Sequence, residues 1–159
     1  MRRGGAADLA FLHAMLLEAA NWHRERLRVT LAQALADPYL ARYVRDWGRP
    51  GDTAVIAEEG GVRVGAAWYR FFDPAEPGYG FVDAATPELS IGVVAARRGA
   101  GIGRRLLATL LDEARRAGVH ALSLSVEPDN HRAVALYQRF GFAKLDEQAG
   151  AWTMRWRAT

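Results

Sequence analysis

The 159-residue sequence contains no cysteine, a single lysine and no long uninterrupted hydrophobic run. The absence of cysteine excludes disulfide scaffolds, zinc sites with thiolate ligands and a cysteine nucleophile. No apolar stretch approaches the roughly 20 residues that span a bilayer, and the N-terminal segment is interrupted by Asp8, His13 and Glu18. A secreted or membrane protein is therefore not expected, and we predict a cytoplasmic location.

The chain also has little excess of either charge. The chain has 21 Lys plus Arg and 18 Asp plus Glu, which leaves a formal net charge of +3. The arginines are scattered with acids between them, so no basic stripe for nucleic acid is expected. The four histidines lack the spacing of metal ligands, which argues against a metal centre. One local concentration of arginines stands out, at Arg97, Arg98, Arg104 and Arg105.

Length and a globular composition predict a single domain over residues 1–159. The first third has helical patterns. One helix is predicted over residues 9–20 with Asp8 as its cap, and a second starts at Asp37-Pro38 and ends near Gly48. From residue 53 the hydrophobic period changes to two, which predicts a hairpin over residues 53–71.

The second half predicts a strand, a helix and another strand in succession. Alternating apolar residues over 89–94 precede a glycine-rich turn, a leucine stripe at helical spacing follows, and a further strand covers 122–126. Such a βαβ unit places its two strands parallel. A short helix and a terminal hairpin around Gly150 complete the chain. The prediction is an α+β fold with a mixed sheet.

The turn between the first strand and the helix reads Arg98-Gly99-Ala100-Gly101-Ile102-Gly103. A helix N-terminus offers unpaired N–H donors, and glycines allow the backbone to approach phosphate oxygens closely. Alternating glycines alone are equally consistent with a tight turn. Two common nucleotide motifs are excluded because Arg104 and Arg105 follow Gly103. The turn suits a pyrophosphate bound without a magnesium–triphosphate site.

Two motifs then resemble the GNAT superfamily of N-acetyltransferases. The first, Arg or Gln, two residues, Gly, one residue, Gly or Ala, fits Arg98, Gly101 and Gly103. The second, Asn-x-x-Ala-x-x-Leu-Tyr-x-x-x-Gly-Phe, is met by Asn130, Ala133, Leu136, Tyr137, Gly141 and Phe142. The sequence departs from the family at Ala95, where a proline is usual, and in a first strand that is short or absent before Asp8.

This resemblance implies a GNAT-like mixed central sheet flanked by helices, with acetyl-CoA as cosubstrate between splayed parallel strands and no metal. Main-chain amides of the glycine turn would bind the pyrophosphate, and an N–H near Val93 or Val94 would face the thioester carbonyl. Homodimerisation is a family-level expectation. The cofactor-binding residues expected from the resemblance are Val93, Val94, Arg98, Gly99, Ala100, Gly101, Ile102, Gly103, Arg104 and Asn130.

Acetyl transfer to an amine needs a base for the amine and an acid for the thiolate. Glu88 shares a strand face with Ser90 and Gly92 and resembles a family glutamate, although a solvated strand-end carboxylate is the alternative. Tyr137 is the candidate acid, although its helical stripe alone would suggest core packing. Asp83 and Glu76 are weaker candidates for the base.

The predicted function is direct transfer of acetyl from acetyl-CoA to an amine in a ternary complex, since no covalent nucleophile is evident. The alternative is a non-catalytic acyl-CoA sensor. The acceptor, a small-molecule or peptide amine, is not readable from the sequence, and nucleic acid and membrane are not expected as partners. Residues 22–30, 73–87 and 148–151 are the segments expected to contact the acceptor.

Overall fold

The computed structural model describes residues 1–159 and contains seven strands and five helices, with two short 3-10 turns. The strands are β1 (Arg2–Arg3), β2 (Thr53–Glu59), β3 (Val62–Arg70), β4 (Glu88–Val93), β5 (Ala121–Val126), β6 (Ala143–Gln148) and β7 (Ala151–Arg157). The helices are α1 (Leu9–Ala20), α2 (Leu31–Ala36), α3 (Pro38–Ala41), α4 (Ile102–Arg116) and α5 (His131–Arg139).

All strands belong to one sheet, in the order β1-β2-β3-β4-β5-β7-β6. Neighbouring strands are antiparallel except β4 and β5, which are parallel and are connected through α4. This connection is the predicted βαβ unit. The mixed sheet with helices on both faces confirms the predicted α+β architecture.

The two faces of the sheet carry separate hydrophobic cores. On one face, α4 buries Leu106, Leu107 and Leu110 against the strands, and α5 packs beside it. Each such leucine contributes about 1.5–3 kcal/mol by leaving water. On the other face, α1 packs through Leu12 and Met15. The sheet therefore separates an α4/α5 side from an α1 side, and the functional site has a part on each.

Helix α1 crosses β4 at Gly92 without room for a side chain. A Cβ atom at Gly92 would lie 2.4 Å from the carbonyl oxygen of Met15. Glycine is required here because the two backbones approach each other directly. The C-terminal half of α1 therefore forms a close wall over the end of β4.

The helix predicted from Asp37 to Gly48 is wrong in its length. Asp37 does cap α3, since its carboxylate accepts the Tyr39 N–H at 2.9 Å, but α3 ends at Ala41 and turns follow. The reason is tertiary. The buried Arg70 guanidinium donates hydrogen bonds to the carbonyl oxygens of the turn residues Arg42 and Arg45, at 2.8 and 2.6 Å. These carbonyls are therefore bound by a side chain instead of by the N–H groups of a longer helix.

Asp8 was predicted to cap α1, and this is also wrong. Its carboxylate accepts the Gly5 N–H at 2.9 Å and forms an ion pair with Arg2, so it closes the turn before the helix instead. This pair holds the pKa of Asp8 well below its usual range. The first strand of the sheet, β1, is only two residues long, as expected.

Candidate active site

Strands β4 and β5 pair at only one position, Glu88 with Ser123, and then separate. The Val94 N–H donates to the Val64 carbonyl on β3 at 3.0 Å. Because hydrogen-bonded and non-hydrogen-bonded positions alternate in an antiparallel pair, the N–H groups of Ile91 and Val93 must point the other way, into the gap. The gap opens into a cleft of about 1430 Å³.

The glycine turn lies at one end of this cleft and presents free donors. The first helical bond of α4 runs from the Arg105 N–H to the Gly101 carbonyl at 3.2 Å. None of the N–H groups from Gly99 to Arg104 has a protein acceptor. Gly99 and Gly101 have φ angles of 86° and 77°, a conformation that favours glycine. A row of free amides at the N-terminus of a 15-residue helix is suited to an anion.

The arginines near the turn divide into two groups. Arg97 and Arg105 both pair with Glu59, and of these two only Arg97 also lines the cleft. Arg104 and Arg132 line the cleft and make no ion pair. The free amides and these cations fit the pyrophosphate and phosphate groups of coenzyme A.

Arg98 lines the cleft, but its side chain is engaged within the protein. Its guanidinium donates to the carboxylate of Glu18 at 2.5 Å and to the carbonyl of Val93 at 3.3 Å. It thereby joins the end of α1 to the end of β4. Val94 and Ala100, also expected at the cofactor, do not line the cleft.

The opposite wall of the gap carries Asn130 and Tyr137. The Asn130 side-chain oxygen caps α5 by accepting the Ala133 N–H at 3.2 Å, and its amide NH₂ has no protein acceptor. The Tyr137 ring packs against Phe142 with centroids 5.7 Å apart and lines the cleft. Its hydroxyl makes no hydrogen bond in the protein, and burial raises the pKa of this phenol well above its usual range. Tyr137 therefore stays protonated at neutral pH.

Glu88 lies on the α1 side of the sheet and is only 2% exposed, which rules out a solvated strand-end carboxylate. Its Oε1 accepts the Tyr43 hydroxyl at 2.5 Å and the Gly80 N–H at 2.9 Å. Its Oε2 has no partner. Burial raises the pKa of Glu88 to about 7, and the two hydrogen bonds oppose that rise. A carboxyl group with this pKa can take up a proton near neutral pH.

The weaker candidates for a base lie elsewhere. Glu76 is exposed and pairs with Arg45, and Asp83 accepts the Ala85 N–H in a turn. Neither lines the cleft. All three segments expected to contact the acceptor do line it, through residues such as Trp22, Tyr79 and Gln148.

Sequence reasoning missed Tyr43, because it lay inside the over-long predicted helix. It also missed Gly78 and Gly80, whose loop covers Glu88. A Cβ atom at Gly78 would lie 2.0 Å from Glu88 Oε2, and one at Gly80 would lie 2.4 Å from the Leu124 backbone. The glycines of Pro77-Gly78-Tyr79-Gly80 were the available signal, since isolated glycines often mark close backbone approach.

The comparison with known proteins agrees with this geometry. A model of the acetyltransferase (GNAT) family matches residues 16–142. This chain belongs to the GNAT family. The match includes both predicted motifs, from the glycine turn to Gly141-Phe142.

The relatives of this GNAT chain are acetyltransferases and an acyltransferase. The L-methionine sulfoximine/L-methionine sulfone acetyltransferase of Salmonella typhimurium is 33% identical over 149 residues, covering 91% of this chain and 78% of the relative. The L-amino acid N-acyltransferase MnaT of Escherichia coli is 32% identical, covering 98% of this chain and 85% of the relative. The structure of YncA from Salmonella typhimurium with acetyl-CoA has a TM-score of 0.67 at 27% identity, covering 98% of this chain and 91% of that one.

The GNAT protein is therefore an N-acetyltransferase that uses acetyl-CoA, as predicted from the sequence. Its acceptor bears an amine. No finding supports a non-catalytic sensor. No group of three or more His, Asp or Glu side chains is placed to hold a metal ion. None of its helices has both the length and the apolar character needed to cross a bilayer.

Proposed function

We propose that this enzyme acetylates the primary amine of a small amino-acid-type acceptor by direct transfer, with Glu88 as general base and Tyr137 as general acid. The observation that carries the proposal is the buried Glu88 carboxylate, which lines the cleft with one oxygen free, on the strand whose other end meets the free amides of the glycine turn. Both halves of a two-substrate site thus meet along β4.

The cofactor half is assigned to main-chain groups. We place the pyrophosphate of coenzyme A on the N–H groups from Gly99 to Arg104, with Asn130 as a donor to the pantetheine arm. The Val93 N–H would donate to the thioester oxygen as negative charge develops there, since the Val94 N–H is already used by Val64. Removing one such donor costs about 3–4 kcal/mol in other enzymes. Arg98 acts in this arrangement as a brace rather than as a phosphate ligand.

The chemical step needs three proton transfers: two from the nitrogen and one to the thiolate. An alkyl ammonium must lose a proton before it can attack, which costs about 4.6 kcal/mol at pH 7. Glu88 Oε2 accepts that proton. The amine nitrogen then forms its bond to the acetyl carbon, the carbon–sulfur bond breaks, and the departing thiolate takes a proton from the Tyr137 hydroxyl. The second proton of the nitrogen is passed to the Tyr137 phenolate, which leaves a neutral amide and a free thiol, and Glu88 releases its proton to solvent. No residue forms a covalent bond with the acetyl group.

The acceptor class is supported by the relatives and by the cleft walls. The names of two relatives specify methionine derivatives and L-amino acids as their substrates. The walls on the acceptor side include Leu16, Trp22 and Tyr39, which suit an uncharged side chain. Arg24, which is exposed and has no ion-pair partner, also lines the cleft and could bind a carboxylate. The expected homodimer stays a prediction, which the molar mass in solution would test.

The test is release of free thiol from acetyl-CoA across a panel of amines. The panel contains methionine sulfoximine, methionine sulfone, standard amino acids, simple alkylamines and a short peptide with a free N-terminus. We expect the amino-acid derivatives to be the best acceptors. A panel in which only the peptide or only the alkylamines react would overturn the acceptor class but not the catalytic assignments.

The catalytic assignments are tested by Glu88→Gln and Tyr137→Phe. Each should lower kcat by about 10²–10⁴-fold while acetyl-CoA binding stays within threefold of the original. Glu76→Gln is the matched control, because it makes the same chemical change on an exposed glutamate outside the cleft. Wild-type kcat in both site variants would discard the assignments.

A further inference from the structure

Tyr43 connects Glu88 to the loop that covers it. The Tyr43 hydroxyl donates to Glu88 Oε1 at 2.5 Å and accepts the Tyr79 N–H at 2.7 Å. The adjacent Gly80 N–H gives Oε1 its second donor at 2.9 Å. One carboxylate oxygen is therefore held by two hydrogen bonds, and the other, Oε2, is held by none.

Tyr43 is itself fixed from several directions. Its carbonyl accepts the Trp68 indole N–H at 3.1 Å. On either side, the carbonyls of Arg42 and Arg45 accept hydrogen bonds from Arg70, at 2.8 and 2.6 Å. Its ring packs edge-on against Phe72, with centroids 5.2 Å apart. A residue so constrained can hold the hydroxyl, and through it the carboxylate, in one orientation.

No charged side chain contacts the Glu88 carboxylate in addition to the Tyr43 hydroxyl. Arg70 is opposite Glu88 on β3, but its guanidinium pairs with Asp52 at 2.6 Å. On β5, the paired residue is Ser123, whose hydroxyl has no hydrogen-bond partner. The Tyr43 hydroxyl is thus the single side-chain donor to the Glu88 carboxylate.

Gly78 packs directly against Oε2. A Cβ atom there would lie 2.0 Å from Oε2 and 2.9 Å from the Tyr43 hydroxyl. The φ angle of Gly78 is not in the left-handed region, so alanine is excluded here by contact with the carboxylate and the Tyr43 hydroxyl rather than by backbone strain. The same loop therefore gives Oε1 its hydrogen bonds and leaves Oε2 buried without a partner.

We propose that Tyr43 is a positioning residue for acetyl transfer: its hydroxyl occupies Glu88 Oε1, joins that oxygen to the loop over the site, and leaves Oε2 as the one oxygen that receives the amine proton. This role rests on Glu88 being the base. Tyr43 does not touch the reacting atoms. It acts by fixing which oxygen faces the amine and by favouring the ionised carboxylate, whose pKa burial raises.

The test compares Tyr43→Phe with Tyr69→Phe. Both variants remove one hydroxyl from a buried tyrosine, and the Tyr69 hydroxyl makes no hydrogen bond and lies outside the cleft. The titration of Glu88 is followed by the ¹³C signal of its carboxyl group, assigned by its loss in Glu88→Gln. In Tyr43→Phe the midpoint should rise by about one pH unit, since a hydrogen bond to a charged group is lost. In Tyr69→Phe it should not move.

The same variants are then assayed for acetyl transfer as a function of pH. In Tyr43→Phe, kcat/KM at pH 7 should fall about tenfold, and part of the loss should be recovered at pH 9, where Glu88 is again ionised. The dissociation constant of acetyl-CoA should stay within twofold. A purely structural role would lower activity equally at every pH and leave the carboxyl titration in place, which would overturn the proposal.

A second variant tests Oε2 while keeping the Tyr43 hydroxyl. Gly78→Ala places a methyl group against Oε2 and should lower kcat/KM at least tenfold at every pH with acetyl-CoA binding unchanged. Wild-type activity in Gly78→Ala would overturn Oε2 as the proton acceptor. If Glu88→Gln were fully active while Tyr43→Phe still moved the carboxyl titration, the base assignment would be wrong and the hydrogen bond right, which separates the two failures.

Discussion

The two faces of the sheet contribute differently to the site at the gap between β4 and β5. On the α4 side, the candidate anion site consists of consecutive main-chain amides between Gly99 and Arg104. On the α1 side, the proposed base is the Glu88 side chain, whose hydrogen-bond partners, Tyr43 and Gly80, come from two other segments. A site made of backbone is local in the sequence, whereas a site made of buried side chains depends on the whole fold. Substitutions on the α4 side should therefore act only locally, whereas substitutions far from Glu88 should still affect the α1 side.

The largest effect is expected from Asp52→Ala. Asp52 lies outside the cleft, but it pairs with Arg70, which holds the turn that carries Tyr43. The substitution leaves the Arg70 guanidinium, 1% exposed in its side chain, without its carboxylate. Breaking a buried pair in this way costs about 3–5 kcal/mol of unfolding free energy. The loss should also loosen the turn that carries Tyr43 and lower kcat. Urea unfolding and the transfer assay measure both effects.

The control is Asp112→Ala, which removes a carboxylate from the exposed pair with Arg115. Exposed pairs contribute less than about 1 kcal/mol, so stability and activity should hardly change. Equal losses in Asp52→Ala and Asp112→Ala would remove the distinction between buried support and surface charge.

A smaller effect, of opposite sign, is expected from Glu88→Gln. The pKa of Glu88 is about 7 in the folded protein, against an ordinary value of 4.5, so the folded state favours the protonated acid. Above pH 7, Glu88 is ionised in both the folded and the unfolded state, and burying its charge lowers the unfolding free energy by the full amount. This loss becomes smaller as the pH falls below 7 and is absent below about 4.5, where Glu88 is protonated in both states. Glu88→Gln should therefore raise the unfolding free energy by about 3 kcal/mol at pH 8, and the gain should shrink towards pH 5. A gain that does not change with pH would contradict this account.

The cofactor side should respond only locally. Gly101→Ala forces a side chain into a left-handed conformation at φ 77° and should cost about 1 kcal/mol in stability. Acetyl-CoA binding should weaken several-fold, because the free amides would be displaced. Gly103→Ala is the matched control, since its Cβ would meet only Leu136 at 3.7 Å and Ile91 at 3.9 Å.

Gly103 lies inside α4, where alanine is favoured over glycine by up to about 1 kcal/mol. Gly103→Ala should therefore leave the conformation of the turn intact and raise the melting temperature slightly, whereas Gly101→Ala lowers it. Thermal unfolding measures both melting temperatures, and calorimetric titration measures acetyl-CoA binding. If Gly101→Ala and Gly103→Ala changed the melting temperature equally, the left-handed conformation at Gly101 would not explain the loss of stability.

The smallest effect is expected from Arg104→Gln. This arginine lines the cleft without an ion pair and should contribute a few-fold to acetyl-CoA affinity, an effect that fades at high salt. Arg105→Gln removes the neighbouring charge, which faces Glu59 instead. It should leave affinity unchanged, and an equal loss would point to general charge attraction rather than to the cleft.

The α4 side could be predicted from the sequence because its elements follow one another along the chain. The strand before the turn, the turn itself and the leucine stripe of α4 were all placed correctly. The resemblance of two contiguous motifs to the GNAT family identified the cosubstrate. Glu88 was also named, but whether it was solvated or buried could not be decided from its strand alone.

The α1 side could not be predicted in the same way. Tyr43 lies 45 positions before Glu88, and the turn that presents it exists because Arg70 takes the carbonyls that a longer helix would have used. Gly78 and Gly80 are each required by an atom contributed from another strand, β4 for Gly78 and β5 for Gly80. Local propensity contains no information about such partners.

The sequence by itself determined the order of helices and strands, the family, and the row of backbone amides at the start of α4, because these depend on neighbouring residues and on hydrophobic period. Only the tertiary structure decided that Glu88 is buried, that one of its oxygens is held by Tyr43, and that the other is free. Burial and hydrogen bonding of this carboxyl group depend on residues that are distant in the sequence and are brought together only by the folded chain, and burial is what raises its pKa to about 7.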